Sequence, residues 1–424
     1  MKSSYIQMLI IKICAAGLLF ISQVIPARIM NIDQFGMYSY LISIITVLSF
    51  IVIWGADKSV IKLFSMRHDK SKKEISDKMF GIWLVVLINT VVIGLMMVFY
   101  LSKSLNAAYF SDLELLVVVS LLVISLARIS SSITKGISKV IASEVVFNIV
   151  RPTLFILGVL VVYLMNSSVS LMAVVIVLIC SYLVSFLVTT YISHKSVDLT
   201  VSYSPDSIST VYRYSFAFLF VSIGSPLIAN IDLLQLGSMV QTSDIALYSI
   251  ASKMVNLVLL GLVSANLLIA PKISPLYYSS RLDELRMIIR GNNIFVLGLT
   301  IIPVVIILFF TDQILLLFGE QYIEANQIVL LLLLGQIMSV LCGPVLLVSV
   351  MTGLQNKAAI IVMSACGIIW FLCEILIPIY GMLGAAYANI CGYSLMNITV
   401  AYYVYRHTGL NVTMTNIVVR NNNV

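Results

Sequence analysis

Long apolar stretches follow one another along almost the whole chain, separated by short polar or charged connections. A helix that crosses the hydrocarbon core of a bilayer needs about 20 apolar residues. Backbone groups in that core must be hydrogen-bonded within the segment, so these stretches predict membrane-spanning α-helices. Division at the polar clusters predicts about twelve spans, near residues 7–30, 36–56, 79–100, 113–133, 141–164, 168–192, 212–236, 245–269, 291–310, 326–350, 357–378 and 382–404.

The composition supports an all-α membrane protein. Hydrophobic residues make up 61% of the chain and charged residues 10%, whereas an ordinary soluble domain is about a quarter charged. The first apolar run extends through Ile25, and the stretch before Arg28 has no clear small-x-small cleavage pattern. It is therefore interpreted as the first span rather than as a cleaved signal peptide.

Basic residues alternate between the two sides of this predicted arrangement. They collect in every second connection, around residues 58–78, 135–139, 195, 272–290 and 357 and in the tail. The opposite connections contribute only Lys103. By the positive-inside rule, the basic side is the cytoplasm and both termini lie there. The net charge of +7 is thus a topology signal, and it predicts no nucleic-acid partner.

The two halves of the chain resemble each other. Residues 33–39, with the sequence DQFGMYS, precede the second span, and residues 243–249, with the sequence SDIALYS, precede the eighth. Two parallel bundles of about six helices each are expected, with a substrate cleft between them. The predicted divisions are an N-terminal bundle at 1–192, a cytoplasmic linker at 193–211, a C-terminal bundle at 212–404 and a cytoplasmic tail at 405–424.

The sequence carries no recognisable enzyme motif, and it predicts no cofactor, metal site or catalytic residue. The three histidines, His68, His194 and His407, lie at predicted cytoplasmic edges and lack metal-ligand spacing. The six cysteines all lie in apolar segments, where they behave as small hydrophobic residues. No Walker-type phosphate loop occurs.

A few ionisable residues inside the predicted spans are the candidates for function, because a charge in the bilayer is costly and usually functional. They are Arg28, Asp57, Arg151, Asp232, Lys253 and Glu374. Arg151 lies near mid-membrane and precedes Pro152, which predicts a bent helix beside a fixed positive charge. A role in a cavity and a structural salt bridge both remain open for Arg151.

Simpler roles remain open for the other candidates. Arg28 is close enough to the end of the first span to reach the interface. Asp57 has the position of a helix-end residue paired with Lys58. Asp232 and Lys253 could neutralise each other across a helix pair. Glu374 needs a proton or a partner from another helix, because no basic residue is near it in sequence.

Two motifs resemble those of a known family. Residues 27–38, ARIMNIDQFGMY, and residues 376–388, LIPIYGMLGAAYA, look like the polysaccharide-transporter family of Wzx-type O-antigen flippases. That family belongs to the multidrug/oligosaccharidyl-lipid/polysaccharide exporter superfamily. The resemblance implies a multi-pass protein of the bacterial inner membrane that translocates an undecaprenyl-pyrophosphate-linked oligosaccharide by alternating access.

The resemblance also implies roles for individual residues. Cationic residues line the headgroup cavity in that family, and Arg28 matches an arginine of the family pattern. Our own hypothesis adds Arg151 and Lys253 to the cationic cavity and assigns ion coupling to Asp232 or Glu374. A carboxylate at Glu374 departs from the family pattern and argues against an all-cationic cavity. The implied partners are the lipid-linked glycan, membrane lipids, and a polysaccharide polymerase with its chain-length machinery.

Three other functions compete with flipping of a lipid-linked glycan. A multidrug exporter of the same fold, working as a cation antiporter, would need an acidic cavity, whereas cations in the spans here are at least as numerous as carboxylates. A polysaccharide polymerase or ligase needs a sizeable outer loop, and the longest predicted outer connections are only 101–112 and 311–325. Lipid II flippases typically have two additional spans.

Overall fold

The structure, a computed structural model, describes residues 2–65, 72–102, 113–165, 169–196 and 207–417. Within these ranges the chain is almost entirely helical and has no β-strand. The α-helices are α1 Lys2–Ile29, α2 Ile32–Ile53, α3 Ala56–Ser65, α4 Lys72–Ser102, α5 Glu114–Gly136, α6 Val140–Val145, α7 Arg151–Met165, α8 Leu171–Ser196, α9 Ser207–Ile228, α10 Ile231–Met239, α11 Thr242–Val255, α12 Leu259–Tyr278, α13 Leu282–Leu316, α14 Asn326–Cys342, α15 Val345–Met351, α16 Gln355–Tyr380 and α17 Met382–Thr408. A π-helix at Val146–Val150 and 3₁₀-helices at Asn256–Val258, Glu320–Ala325 and Met414–Ile417 complete the described elements.

Every expected span overlaps a helix or a broken pair of helices. Among the described residues, 8 helices are long and apolar enough to cross a membrane, and a bent pair within 208–228 would make 9. The all-α membrane fold is thus confirmed. The count of about twelve spans and the cytoplasmic position of the termini stay predictions. His68, linker residues 197–206 and tail residues 418–424 lie outside the described part of the chain.

Exposed positions along the helices are largely apolar, and several polar side chains are buried. Leu164 is 83% exposed and Phe309 is 75% exposed, whereas Ser120, Asp232 and Asn293 are buried. A soluble protein buries its large apolar side chains and exposes most of its polar ones. This inverted pattern is the one expected of helices whose surroundings are lipid.

The irregularity predicted at Pro152 takes the form of a π-helix. Proline has no N–H and its ring clashes with the preceding turn, so a regular α-helix cannot continue through it undisturbed. The π-helix Val146–Val150 ends where Arg151 N–H donates to the carbonyl of Val146, five residues back. Such wide turns are frequent at functional sites.

Two other proline positions differ in their effect on the helices. Gly343 and Pro344 separate α14 from α15. Pro226 instead lies inside α9, and the interruption follows Ile228. The carbonyl of Pro226 accepts a 2.8 Å hydrogen bond from Asn230 Nδ2, so a side chain replaces a missing backbone donor.

Packing divides the chain into two units. The first unit is Ile10–Asn230, and the second unit is Ile231–Val424 together with Met1–Leu9. Helix α9 packs within the first unit, whereas the sequence placed residues 212–236 in the C-terminal bundle. The expected bundle boundaries stay a prediction.

Hydroxyl side chains join α5 to α8 in the first unit. Thr189 Oγ1 donates to Ser130 Oγ over 2.7 Å, and the hydroxyls of Thr134 and Ser193 lie 2.9 Å apart. Small residues let helix backbones approach closely, and Ser and Thr hydroxyls hydrogen-bond between helices in a bilayer. These four residues, called the α5–α8 clasp below, fix the relative register of the two helices.

Helices α2 and α3 are separated by two residues in the left-handed conformation. Trp54 has φ 56° and Gly55 has φ 74°. The carbonyl of Val52, near the end of α2, accepts a 2.9 Å hydrogen bond from Asn89 Nδ2. Asn89 in turn accepts a 2.6 Å hydrogen bond from the hydroxyl of Tyr212 in α9. The break between α2 and α3 is therefore held by side chains of α4 and α9.

In the second unit, α16 and α17 form a tight hairpin. Gly381 connects them with φ 58°. A Cβ on Gly384 would lie 2.2 Å from the carbonyl oxygen of Leu376, so no larger residue fits without movement of the backbone. The glycines of the second sequence motif thus have a structural role in this turn.

Candidate functional site

Arg151 lies in an aromatic pocket of the first unit. Its Nη1 donates a hydrogen bond to the hydroxyl of Tyr182. Its guanidinium carbon lies 4.6 Å from the centroid of the Tyr182 ring and 4.8 Å from that of Phe147. The two rings meet edge to face, 5.9 Å apart. A guanidinium over aromatic rings is stabilised by their π-electrons, more strongly where water is excluded.

Arg128 supplies a second guanidinium close to this pocket. Its guanidinium carbon lies 4.4 Å from the centroid of the Phe50 ring. Its electrostatic neighbours include Tyr182, Arg151 and Asp57. Buried Arg128 Nε has no hydrogen-bond partner among the described residues. Arg128, Arg151, Tyr182, Phe147 and Phe50 are called the arginine pocket below.

Both arginines lie well inside apolar helical segments that are long enough to cross a membrane. Arg128 precedes the end of α5 at Gly136 by about 12 Å along the axis, at about 1.5 Å per residue. Arg151 follows the start of α6 at Val140 by about 16 Å on the same basis. A hydrocarbon core is about 30 Å thick, so helices that cross it from end to end would hold both arginines near its middle third. The α5–α8 clasp connects the helix of Arg128 with the helix of Tyr182.

No carboxylate among the described residues forms an ion pair with Arg128 or Arg151. Asp57 is the nearby acid, and its Oδ1 accepts a 2.7 Å hydrogen bond from Ser222 while its Oδ2 lies 3.8 Å from Lys58 Nζ. A cation at this depth is costly unless an anion or many dipoles offset it. No ion pair among the described residues therefore offsets the charge of the two guanidiniums.

A buried carboxylate with neutral partners lies in the second unit. Asp232, in the first turn of α10, is 1% exposed. Its Oδ2 accepts hydrogen bonds from the Tyr248 hydroxyl at 2.6 Å and from Asn389 Nδ2 at 2.7 Å. Its Oδ1 accepts a 2.8 Å hydrogen bond from Leu233 N–H. The three donors are neutral, so a proton or a bound cation would be needed to neutralise the Asp232 carboxylate.

Glu374 belongs to the same group of side chains. Gln235, one turn after Asp232 in α10, donates from Nε2 to Glu374 Oε2 over 3.3 Å. Glu374 itself is exposed. Lys253 lies in the last turn of α11 and is half-buried. The hydrogen bonds described for Asp232 come from Leu233, Tyr248 and Asn389. Its neutralisation by Lys253 stays a prediction.

The candidate residues are grouped in the structure differently from the sets that the sequence predicted. Arg151 lies within electrostatic range of Arg128, which sequence reasoning missed although it lies inside the apolar span 113–133. Arg28 is exposed at the last turn of α1, and the contacts described for the arginine pocket come from other residues. Asp232 and Glu374 do belong to one group, connected by Gln235. An arginine within an apolar run was the signal for Arg128.

A comparison with protein-family models matches residues 2–276 to the polysaccharide biosynthesis protein family. The chain belongs to this family. The match includes the first sequence motif and every residue of the arginine pocket, and the second motif lies beyond it. The family resemblance deduced from the sequence is thereby confirmed. No curated protein matches the sequence.

Solved structures of two kinds share the fold. An inward-closed structure of the lipid II flippase MurJ has a TM-score of 0.73 at 14% identity and covers 94% of this chain and 86% of its own. An inward-facing MATE family multidrug resistance transporter of the MOP superfamily has a TM-score of 0.67 at 13% identity, over 95% and 94% of the two chains. The multidrug transporter DinF-BH has a TM-score of 0.65 at 15% identity, over 99% and 96%. At these identities the likeness shows the fold alone.

The family and the apolar helices together support a multi-pass membrane protein of polysaccharide biosynthesis. The structural neighbours are transporters and flippases rather than catalytic enzymes. The family associates the chain with polysaccharide biosynthesis.

Proposed function

We propose that this protein flips an undecaprenyl-pyrophosphate-linked oligosaccharide, such as an O-antigen repeat unit, across the bacterial inner membrane. The observation that carries the proposal is the arginine pocket: two guanidiniums near mid-membrane with no carboxylate partner among the described residues. Pyrophosphate is an anion that arginine binds through paired hydrogen bonds. Its polyprenyl chain can remain in the lipid while the polar head crosses.

The aromatic side chains give the pocket a second property. Tyr182 and Phe147 hold Arg151 from two directions, so its guanidinium is preorganised. A preorganised guanidinium loses less rotamer freedom when it binds a phosphate. Aromatic faces also suit the apolar faces of sugar rings. The pocket therefore fits a head that joins phosphate to carbohydrate.

Alternating access and ion coupling complete the proposed mechanism. Asp232, with Glu374 near it through Gln235, is the proposed coupling site. Binding of a proton or sodium ion at Asp232 would change the charge of a buried group, and such a change biases a two-state protein. Arg28 and Lys253 remain proposed contributors to the cationic path, and the polymerase and chain-length proteins remain proposed partners.

Cation export is the competing function on the same fold. An exporter of amphipathic cations needs carboxylates on the substrate path, whereas the arginine pocket has the opposite charge. The acidic group around Asp232 is hydrogen-bonded within the second unit and fits a small coupling ion better than an organic cation.

The test is deletion of the gene in its own host, complemented with the wild-type gene or with variants at Arg128 and Arg151. Surface polysaccharide and the sidedness of the lipid-linked oligosaccharide are measured. The proposal expects surface glycan to disappear while undecaprenyl-linked units accumulate on the cytoplasmic side. Intact surface glycan together with new sensitivity to cationic drugs would reject flipping and support multidrug export.

A further inference from the structure

A group of three charged residues lies on the same stretch of chain as the arginine pocket. Glu144, in α6, accepts from Lys12 Nζ of α1 at 2.5 Å and lies 2.9 Å from Lys135 Nζ of α5. Asn148 Nδ2 donates to the same carboxylate over 2.8 Å. Lys12, Lys135 and Glu144 are called the triad below. All three belong to the first unit.

The triad has more positive than negative charge. Two ammonium groups share one carboxylate, so a net positive charge remains. The side chains of Lys12 and Lys135 are 28% and 32% exposed, and that of Glu144 is 9% exposed. An anion that approaches from the accessible side therefore meets the ammonium groups before it meets the carboxylate.

One helical stretch leads from the triad to the arginine pocket. Glu144 and Arg151 are separated by about 10 Å along the axis, at about 1.5 Å per residue. Between them lies the π-helix that carries Phe147, a member of the pocket, and Asn148, a partner of Glu144. Because Lys135 lies in the last turn of α5 on the predicted cytoplasmic side, the triad is the more superficial of the two sites.

The residue types suit the two positions. A lysine ammonium is a point charge on a flexible stem, so it exchanges one anionic partner for another readily. An arginine guanidinium is a planar fork that holds phosphate in a defined geometry. Lysines outside and arginines inside are the arrangement expected of a first, exchangeable contact followed by a tighter one.

We propose that the triad is a loading site, where a phosphate of the substrate replaces Glu144 as the partner of Lys12 and Lys135 before the head moves on to Arg151. This inference rests on the proposed function. Glu144 acts as an internal competitor: it holds the lysines in place when no substrate is present and must be displaced when one arrives. The three residues thus set the affinity for the first contact.

Binding of undecaprenyl diphosphate to the purified protein in lipid nanodiscs tests the proposal. Glu144→Gln removes the competitor, so we expect tighter binding by up to about fivefold, the value of a partly exposed ion pair. Lys12→Gln and Lys135→Gln should each weaken binding by a similar factor. Two controls remove a charge elsewhere: Lys139→Gln, an exposed lysine beside the triad, and Glu284→Gln, from a surface pair with Arg281.

A purely structural role predicts the opposite sign for one variant. If the triad only clamps α1, α5 and α6 together, Glu144→Gln weakens binding along with the lysine variants and lowers the melting temperature, which would overturn the proposal. Unchanged binding in all three variants would overturn it as well. Loss of binding in Arg128→Ala and Arg151→Ala, with no effect of the triad variants, would leave the proposed function standing and reject the loading site alone.

A measurement on the wild-type protein avoids dependence on any variant. An amine-reactive reagent labels exposed lysines, and mass spectrometry measures labelling residue by residue. We expect undecaprenyl diphosphate to slow the labelling of Lys12 and Lys135 and to leave Lys139 unaffected. Equal labelling of Lys12 and Lys135 with and without undecaprenyl diphosphate would reject the loading site.

Discussion

Gly55 and Ser215 lie so close together that a Cβ on Gly55 would come within 2.7 Å of the Ser215 carbonyl oxygen. The same Cβ would lie 2.7 Å from Leu219 N, also a backbone atom of α9. Neighbouring side chains complete the contact: Ser59 and Ser215 share a 2.8 Å hydrogen bond, and Ser222 donates to Asp57 over 2.7 Å. Helix α9 is thus seated in the break between α2 and α3, and glycine is what permits the approach.

Gly55→Ala is expected to destabilise the protein, because backbone atoms of α9 would have to move and because φ 74° is strained for alanine. A strained left-handed residue alone costs on the order of 1–3 kcal/mol. Thermal unfolding in detergent measures the effect. Gly17→Ala is the matched control, since nothing lies within 4 Å of a Cβ at Gly17. Equal melting temperatures for the two variants would contradict the close packing of α9.

The sequence predicted the helices well because hydrophobicity alone determines which segments lie in a bilayer. It could not predict how α9 packs, since the approach depends on Gly55 and Ser215, which are far apart in the chain. The partners of Asp232 were hidden for the same reason: Asn389 is 157 positions away. Arg128, by contrast, was visible in the sequence. Its significance appears only when the fold brings Arg128 of α5 near Arg151 of α7 and Tyr182 of α8.

The arginine pocket predicts that loss of the positive charge impairs transport more than loss of the planar guanidinium shape. Arg128→Ala and Arg151→Ala should each abolish most transport, because a phosphate near mid-membrane would lose a charged partner. Arg151→Lys keeps the charge but loses the planar fork and its stacking on Tyr182, so we expect a partial defect. Appearance of lipid-linked oligosaccharide in the outer leaflet measures transport.

Arg213→Ala is the control for this experiment, because Arg213 is an exposed arginine of α9. All variants must be present in the membrane at levels comparable to that of the wild-type protein. Full transport with both Arg128→Ala and Arg151→Ala would remove the arginine pocket from the mechanism. Full activity of Arg151→Lys alone would show that charge suffices there.

Asp232 predicts the coupling behaviour of the transporter. Asp232→Asn preserves the shape of the side chain and removes its negative charge, so transport should lose its dependence on an imposed proton or sodium gradient. Tyr248→Phe removes one of the three donors and should weaken the dependence by a smaller amount, since a hydrogen bond to a charged group is worth about 1.5–3 kcal/mol. Asp244→Asn, in the first turn of α11, is the control. A gradient response that persists in Asp232→Asn would place coupling elsewhere.

Residues 410–413 form a held segment within the region that the sequence predicted as a cytoplasmic tail. Leu410 is 0% exposed and Val412 is 1% exposed. Asn293 Nδ2, in α13, donates to the carbonyls of Val412 at 3.0 Å and Thr413 at 3.1 Å. Asn293→Ala removes both hydrogen bonds and leaves two carbonyls to find other donors, a loss of roughly 1–3 kcal/mol for each buried group left unpaired. We therefore expect the segment to detach more often.

Thr415→Cys, at an exposed position beside the segment, gives the labelling rate of a cysteine that is accessible without detachment. The labelling rate of Met414→Cys, a buried position, is the more sensitive measure and should rise in the Asn293→Ala background. Asn292→Ala is the matched control, because Asn292 is equally part of α13, is buried, and its Nδ2 has no partner among the described residues. If Asn292→Ala raises labelling as much as Asn293→Ala does, removal of either asparagine side chain from α13 frees the segment. The hydrogen bonds of Asn293 would then not be what holds it.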